Sequence, residues 1–172
     1  MQYVLAFILF IFVIILFAYL IFSIISELSG APFVPSKGSS VRQMLDLAQI
    51  EKDEKLIDLG SGDGRIVFEA TKYGIDAWGV DINAVLIIFS KLKSYITKNN
   101  NAHFEYKNIF NVDLTKFDVV TLYCLPKTIN KLEDKLRKEL KPSARIISNT
   151  FDLKNAQIIK QEGKIRVYQF TK

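Results

Sequence analysis

The chain has little of what disulfide scaffolds and metal centres are built from. Among 172 residues there is one cysteine, one histidine, one tryptophan and four prolines. A lone Cys124 excludes an intrachain disulfide and fits a reducing compartment. His103 has no companion at metal-ligand spacing, and Cys124 has no His or acid beside it in sequence. No metal is therefore expected, and neither residue is read as a nucleophile or ligand. Charge is absent from residues 1–26, where 23 of 26 residues are hydrophobic, the exceptions being Gln2, Ser23 and Ser26. All 23 basic and 18 acidic residues lie in positions 27–172. That remainder has an ordinary globular composition, which excludes disorder, low complexity and a multi-span membrane protein.

What is present first is a long apolar run, Tyr3 to Ile25, broken only by Ser23. As a helix rising about 1.5 Å per residue it spans about 34 Å, enough to cross a hydrocarbon core of about 30 Å. A cleaved signal peptide is the competing reading. It calls for a basic leading segment and a shorter apolar run, and only Ser29-Gly30-Ala31 resembles a cleavage site. Lys37 and Arg42 follow the run and no basic residue precedes it. The following domain is therefore expected on the cytoplasmic side, or the matrix side in an organelle, of a single-pass membrane protein. The net charge of +5 is interleaved with acids, as in Lys131-Leu-Glu-Asp-Lys-Leu-Arg-Lys-Glu139. This reads as a solvated helix face, not a nucleic-acid stripe.

Three segments are expected: an anchor over 1–28, a linker over 29–40 rich in Ser, Gly and Pro, and a domain over 41–172. In the domain, strands are expected at 55–59, 77–81, 103–107, 118–123 and 145–149. Helices are expected at 65–73, 84–98 and 128–140, and a hairpin is centred on Glu162-Gly163. Alternation of strand and helix predicts an α/β fold, with a parallel sheet covered on both faces and the hairpin adding an antiparallel edge.

The most informative stretch is Leu56-Ile-Asp-Leu-Gly-Ser-Gly-Asp-Gly-Arg65, a strand running through Gly60, Gly62 and Gly64 into a helix. Glycine allows a tight turn and close approach of a ligand to the backbone. In an open α/β sheet the ligand crevice lies at the carboxyl ends of the strands. Asp81 ends the second strand, where a carboxylate can accept both hydroxyls of a ribose. The spacing G-x-G-x-G departs from the dinucleotide pattern G-x-G-x-x-G. Asp63 in the loop and Asp58 before it would repel a pyrophosphate but attract a sulfonium and an ammonium. S-adenosylmethionine is the expected cofactor, with NAD and a ligand-free turn as the alternatives.

The Asp58–Arg65 motif resembles that of seven-β-strand (class I) methyltransferases, which have a Rossmann-like sheet. With the apolar run, Phe33-Val-Pro-Ser36, Gly79-x-Asp81-x-Asn83 and Leu125-Pro126, the chain resembles the membrane-anchored lysine methyltransferases that modify the ATP synthase c-subunit or the adenine nucleotide translocase. The resemblance implies that Gly60, Ser61 and Gly62 line the methionine part of the cofactor near Asp58. It also implies that Asp81 holds the ribose, Pro35 and Ser36 fold over the cofactor, and Asn108 stands at the adenine. It implies a membrane-associated protein substrate. Methyl transfer to an amine requires a deprotonated nucleophile, and an apolar slot beside a cation depresses a lysine pKa. Tyr123, Leu125 and Pro126, with Phe151 opposite, are expected to form that slot, and no general base is assigned. Two further readings stand: a methyltransferase of lipid-soluble small molecules, and a non-catalytic cofactor-binding membrane protein.

Overall fold

The computed structural model of the chain describes residues 2–28, 38–124, 126–149 and 152–170. Two compact units divide at Val34 and Pro35. The first contains helix α1 (Gln2–Leu28), and the side chains of its first 19 residues are exposed. Residues Gln2–Leu20 are long and apolar enough, by length and composition, to cross a membrane.

The second unit opens with α2 (Gly38–Ala48), which takes in the last three residues of the expected linker. Strands and helices then alternate: β1 (Lys55–Leu59), α3 (Arg65–Ala70), β2 (Asp76–Asp81), α4 (Ala84–Ile96), β3 (Ala102–Tyr106), β4 (Val119–Leu122), α5 (Pro126–Glu139) and β5 (Arg145–Asn149). The chain ends in a hairpin of β6 (Gln157–Glu162) and β7 (Ile165–Gln169). The sheet has seven strands in the order β3-β2-β1-β4-β5-β7-β6. Strands β1 to β5 are parallel; β7 pairs antiparallel with β5, and β6 with β7. The hairpin therefore contributes two positions, with β6 at the edge and β7 between it and β5.

Alternate side chains along each strand feed two cores. Leu56, Ala77, Val119 and Ile147 face one way, packing with Met44 and Leu45 of α2 and Ile66 and Val67 of α3. Ile57, Val120 and Ile146 face the other way, against Ile129, Leu132 and Leu136 of α5. The latter residues recur at helical spacing, while the outer face of α5 carries Lys135–Glu139 and Arg137–Asp134 pairs. The helix expected at 65–73 tightens after Ala70 into a 3₁₀ turn, Thr71–Tyr73, that stops at Gly74 in the left-handed region. The strand order reverses direction between β1 and β4. That is the switch point at which the carboxyl ends of the strands open a crevice.

Gly64 caps α3 with φ +75°, and a Cβ there would lie 2.6 Å from the Phe104 ring. Gly64→Ala should therefore lower stability by about 2–4 kcal/mol, combining left-handed strain with overpacking. Denaturant unfolding of the full chain checks this; an unchanged midpoint would contradict the packing described.

Candidate active site

The crevice is built on a backbone turn. Leu59 ends β1 and the chain passes through Gly60, Gly62 and Gly64, with φ +90°, +54° and +75°. The turn is tied to β2 from both sides. The Gly60 and Ser61 amides donate to the Val80 carbonyl at 2.9 and 3.0 Å, and the Gly62 amide donates to Asp81 Oδ2 at 2.9 Å. The other Asp81 oxygen accepts from the Asn83 amide at 2.8 Å. Asn83 in turn caps α4, its Oδ1 accepting from the Val85 and Leu86 amides. Each Asp81 oxygen thus uses one acceptor position on the backbone and keeps another.

Asp58 lies below this turn, 2% exposed, with its Oδ1 accepting from the Thr121 hydroxyl at 2.7 Å. Burial pushes its pKa up to about 7; the Thr121 bond opposes that shift, and the charges of Asp81 and Asp63 reinforce it. Asp63 behaves differently from its expected role. Both of its oxygens are taken by the Arg65 guanidinium, at 2.9 Å (Nε) and 2.6 Å (Nη2), and this partner holds its carboxyl below the usual range. Arg65 therefore balances one acid of the loop, while Asp58 and Asp81 are held by hydroxyl and backbone donors at the carboxyl ends of β1 and β2.

Other expected residues fall as follows. The Ser61 side chain turns to the sheet: a Cβ on Gly79 would fall 2.7 Å from its Oγ, which is buried. Ser61 can thus offer the crevice only its backbone. Asn108 sits at the end of β3, beside Asp81, because the Lys107 amide donates to the Asp81 carbonyl at 3.0 Å. Its Oδ1 accepts from the Phe110 amide at 3.0 Å and starts the turn Ile109–Asn111. Ile82, next to Asp81, and Phe110 in this turn are both exposed. Tyr123 and Cys124 follow β4, next to β1. The Cys124 thiol meets the Leu59 carbonyl at 3.5 Å, and its pKa is pushed up to about 12 by burial and by the Asp58 and Asp81 charges. It is a packing thiol, not a thiolate. Pro126 begins α5. Pro35, Ser36, Leu125 and Phe151 lie outside the described residues. No cluster of three or more His, Cys, Asp or Glu able to hold a metal occurs among the described residues.

The sequence reading missed Thr121 and the role of Asn83. Thr121 had a signal: it is the one polar residue in the buried strand Val-Val-Thr-Leu.

Residues 58–160, from Asp58 through most of β6, match the ANTKMT methyltransferase domain. The chain belongs to that family. A protein-lysine N-methyltransferase of Saccharolobus islandicus is 36% identical over 145 residues, covering 80% of this chain and 89% of that protein. The human lysine N-methyltransferase of the ATP synthase c-subunit is 31% identical over 121 residues, 70% of this chain but 52% of the relative. The chain thus spans about half the length of that relative. An RNA methyltransferase from Salinibacter ruber, solved with S-adenosyl-L-homocysteine, superposes with TM-score 0.71 at 32% identity over 80% of this chain and 92% of that one. The putative methyltransferase yhhF of Escherichia coli, at 21% identity and TM-score 0.62, shares the fold.

As an ANTKMT-family methyltransferase the protein takes S-adenosylmethionine as its cofactor. The residues present fit that group. Asp81 retains an acceptor on each oxygen for a pair of hydroxyls, and the buried Asp58 carboxyl gains a countercharge from a cation. A pyrophosphate would meet Asp58 and Asp81 instead.

A pKa raised from 3.8 when unfolded to about 7 when folded means that the native state holds its proton longer. Stability contributed by the neutral carboxyl is complete below about pH 4 and is lost as pH rises to about 7. Asp58→Asn should therefore stabilise the cofactor-free protein at pH 8, on the order of 3 kcal/mol, and have little effect at pH 4. The same variant should weaken cofactor binding and remove its strengthening between pH 6 and 8. Thermal melts and calorimetric titration across that range check both signs.

Proposed function

We propose that the protein is a membrane-anchored protein-lysine N-methyltransferase that acts on a membrane-associated protein. The observation that carries the reading is the identity to the Saccharolobus protein-lysine N-methyltransferase, which runs through nearly the whole catalytic unit and nearly all of that relative. Relatives named for the ATP synthase c-subunit and for adenine nucleotide translocase support a membrane-borne target. The exposed and uncharged stretch Gln2–Leu20 of α1 supports an anchor. Confinement to a bilayer raises the effective concentration of such a target.

When bound, S-adenosylmethionine supplies an electrophilic methyl on a sulfonium. The chain's own residues position and shield the reaction. Asp81 would accept the ribose hydroxyls, Gly60 and Gly62 would allow the methionine portion close backbone approach, and Asp58 would supply a carboxylate once the cation draws off its proton. Ser61 acts through its backbone, while Asp63 acts by fixing Arg65 at the start of α3. Asn108 would meet the adenine with the acceptor capacity its turn leaves free, and a covering role for Pro35 and Ser36, outside the described residues, rests on the family resemblance alone. Tyr123, which follows β4 at the carboxyl end of the sheet, would border the approach of the target amine, and the same role for Leu125 and Pro126 rests on the family resemblance. Desolvation there, beside a positive sulfonium, favours the neutral amine whose lone pair is needed, so the proton leaves to solvent before attack.

Asp81→Asn halves the acceptor positions and removes the charge. It should weaken cofactor affinity by roughly ten- to a hundredfold and, because either the Gly62 or the Asn83 amide loses its acceptor, lower stability by about 1–3 kcal/mol, as read by calorimetry and thermal melts. Methyl label from the cofactor, supplied to membranes with the full chain, should enter protein and appear as methylated lysine on hydrolysis. Label confined to the lipid extract, or to RNA, would overturn the lysine reading.

A further inference from the structure

Helix α4 carries a face that nothing in its own unit covers. Only Ile87 and Ser90 are buried. Val85, Ile88, Phe89, Leu92, Tyr95 and Ile96 are each between 53% and 83% exposed. At helical spacing these six fall within an arc of about 120°, a continuous apolar stripe along the whole helix. By contrast α5, of similar length, buries Ile129, Leu132 and Leu136 and turns charge outward. Contiguous apolar exposure on this scale marks an interaction surface.

The charges beside the stripe identify what it meets. Lys91 borders it on one side and Lys93 on the other, with Lys98 just past the end, and no acid occurs between Ala84 and Ala102. Lys93 also lies 4.3 Å from the Phe68 ring centroid, which holds its ammonium at the margin of the stripe. Apolar residues flanked by lysine, with an amphipathic tyrosine at one border, suit a helix lying in the interface of an anionic leaflet. A second copy of the same face would bring lysine against lysine. Residues 29–37 alone join α1 to α2, at most about 30 Å of chain, so a bilayer that holds α1 is within reach.

We infer that the exposed face of α4 docks the catalytic unit onto an anionic bilayer surface, inserting Val85, Ile88, Phe89, Leu92 and Ile96 below the headgroups. This rests on the membrane-anchored reading only for bringing the domain to a bilayer. Because α4 begins three residues after Asp81, docking sets the rim of the cofactor crevice at the membrane, where a target lysine of a bilayer-embedded protein emerges.

The test uses the full chain carrying Cys124→Ser, reconstituted in vesicles of phosphatidylcholine with or without phosphatidylglycerol. A nitroxide is placed at Leu92→Cys or, as a control, at Lys52→Cys on an exposed loop. With phosphatidylglycerol, the label at 92 is expected to become several-fold less accessible to a water-soluble nickel chelate and more accessible to oxygen, while the label at 52 stays in water. Ile88→Glu should abolish the shift at 92 and leave cofactor affinity unchanged. A label at 92 that remains water-accessible overturns the docking. So does shielding from both nickel and oxygen, which means a protein partner, or spin–spin broadening lost on dilution with unlabelled chain, which means a second copy. Alkaline carbonate extraction reads the anchor separately: release of the chain from vesicles would count against α1 spanning the bilayer, whatever the label at 92 reports.

Discussion

The backbone between Leu59 and Arg65 must reverse out of β1 and into α3 within a few residues, and the crevice depends on that turn. It holds because two consecutive amides share the Val80 carbonyl and a third binds Asp81. The same contacts dock β1 to β2 at their carboxyl ends and orient the Asp81 carboxylate. A side chain at Gly64 would disturb the turn, the cap of α3 and the packing of Phe104 together. Site and fold are thus one construction here, so a side chain added in the turn is expected to disturb both.

Electrostatics give the turn its chemical character. Asp58 is buried beside β4, bonded by Thr121, and within the field of two further acids. Arg65 pairs with Asp63, whereas Asp58 and Asp81 have no ion-pair partner shown among the described residues. A site of this kind is destabilised when empty at neutral pH and relieved by a cation, so affinity for the sulfonium cofactor and strain in the free protein have the same origin.

The catalytic unit is spare. Its seven-stranded sheet is complete, yet β3 reaches β4 through a 3₁₀ turn and loop, and no helix separates β5 from the terminal hairpin among the described residues. Little of the chain remains to build a substrate-binding lid. The apolar, lysine-bordered surface of α4 supplies a different means of placing the crevice before its target.

Much of the fold was legible because its signals are local. The uncharged run of residues 3–25, the alternation of apolar strands with amphipathic helices, and the glycine spacing after Asp58 each follow from chain periodicity and backbone sterics. The positions of Asp58 in β1 and Asp81 at the end of β2 were legible because strand and loop boundaries are local signals. Side-chain direction and pairing were not legible. Asp63 stands in the motif like a ligand group but folds onto Arg65, two residues away. Ser61 points at Gly79, because only a glycine in β2 leaves room for it. Thr121 reaches Asp58 from 63 residues along the chain, a contact created only by the pairing of β1 with β4. Periodicity placed a helix over α4 but not which of its residues are covered, and only the packed sheet shows that the core is filled without its apolar stripe. The sequence by itself determined the element order and the cofactor class, since both rest on short-range geometry and charge type. The tertiary structure decided which partner each acid takes and which apolar face stays open, since both depend on packing that no local signal encodes.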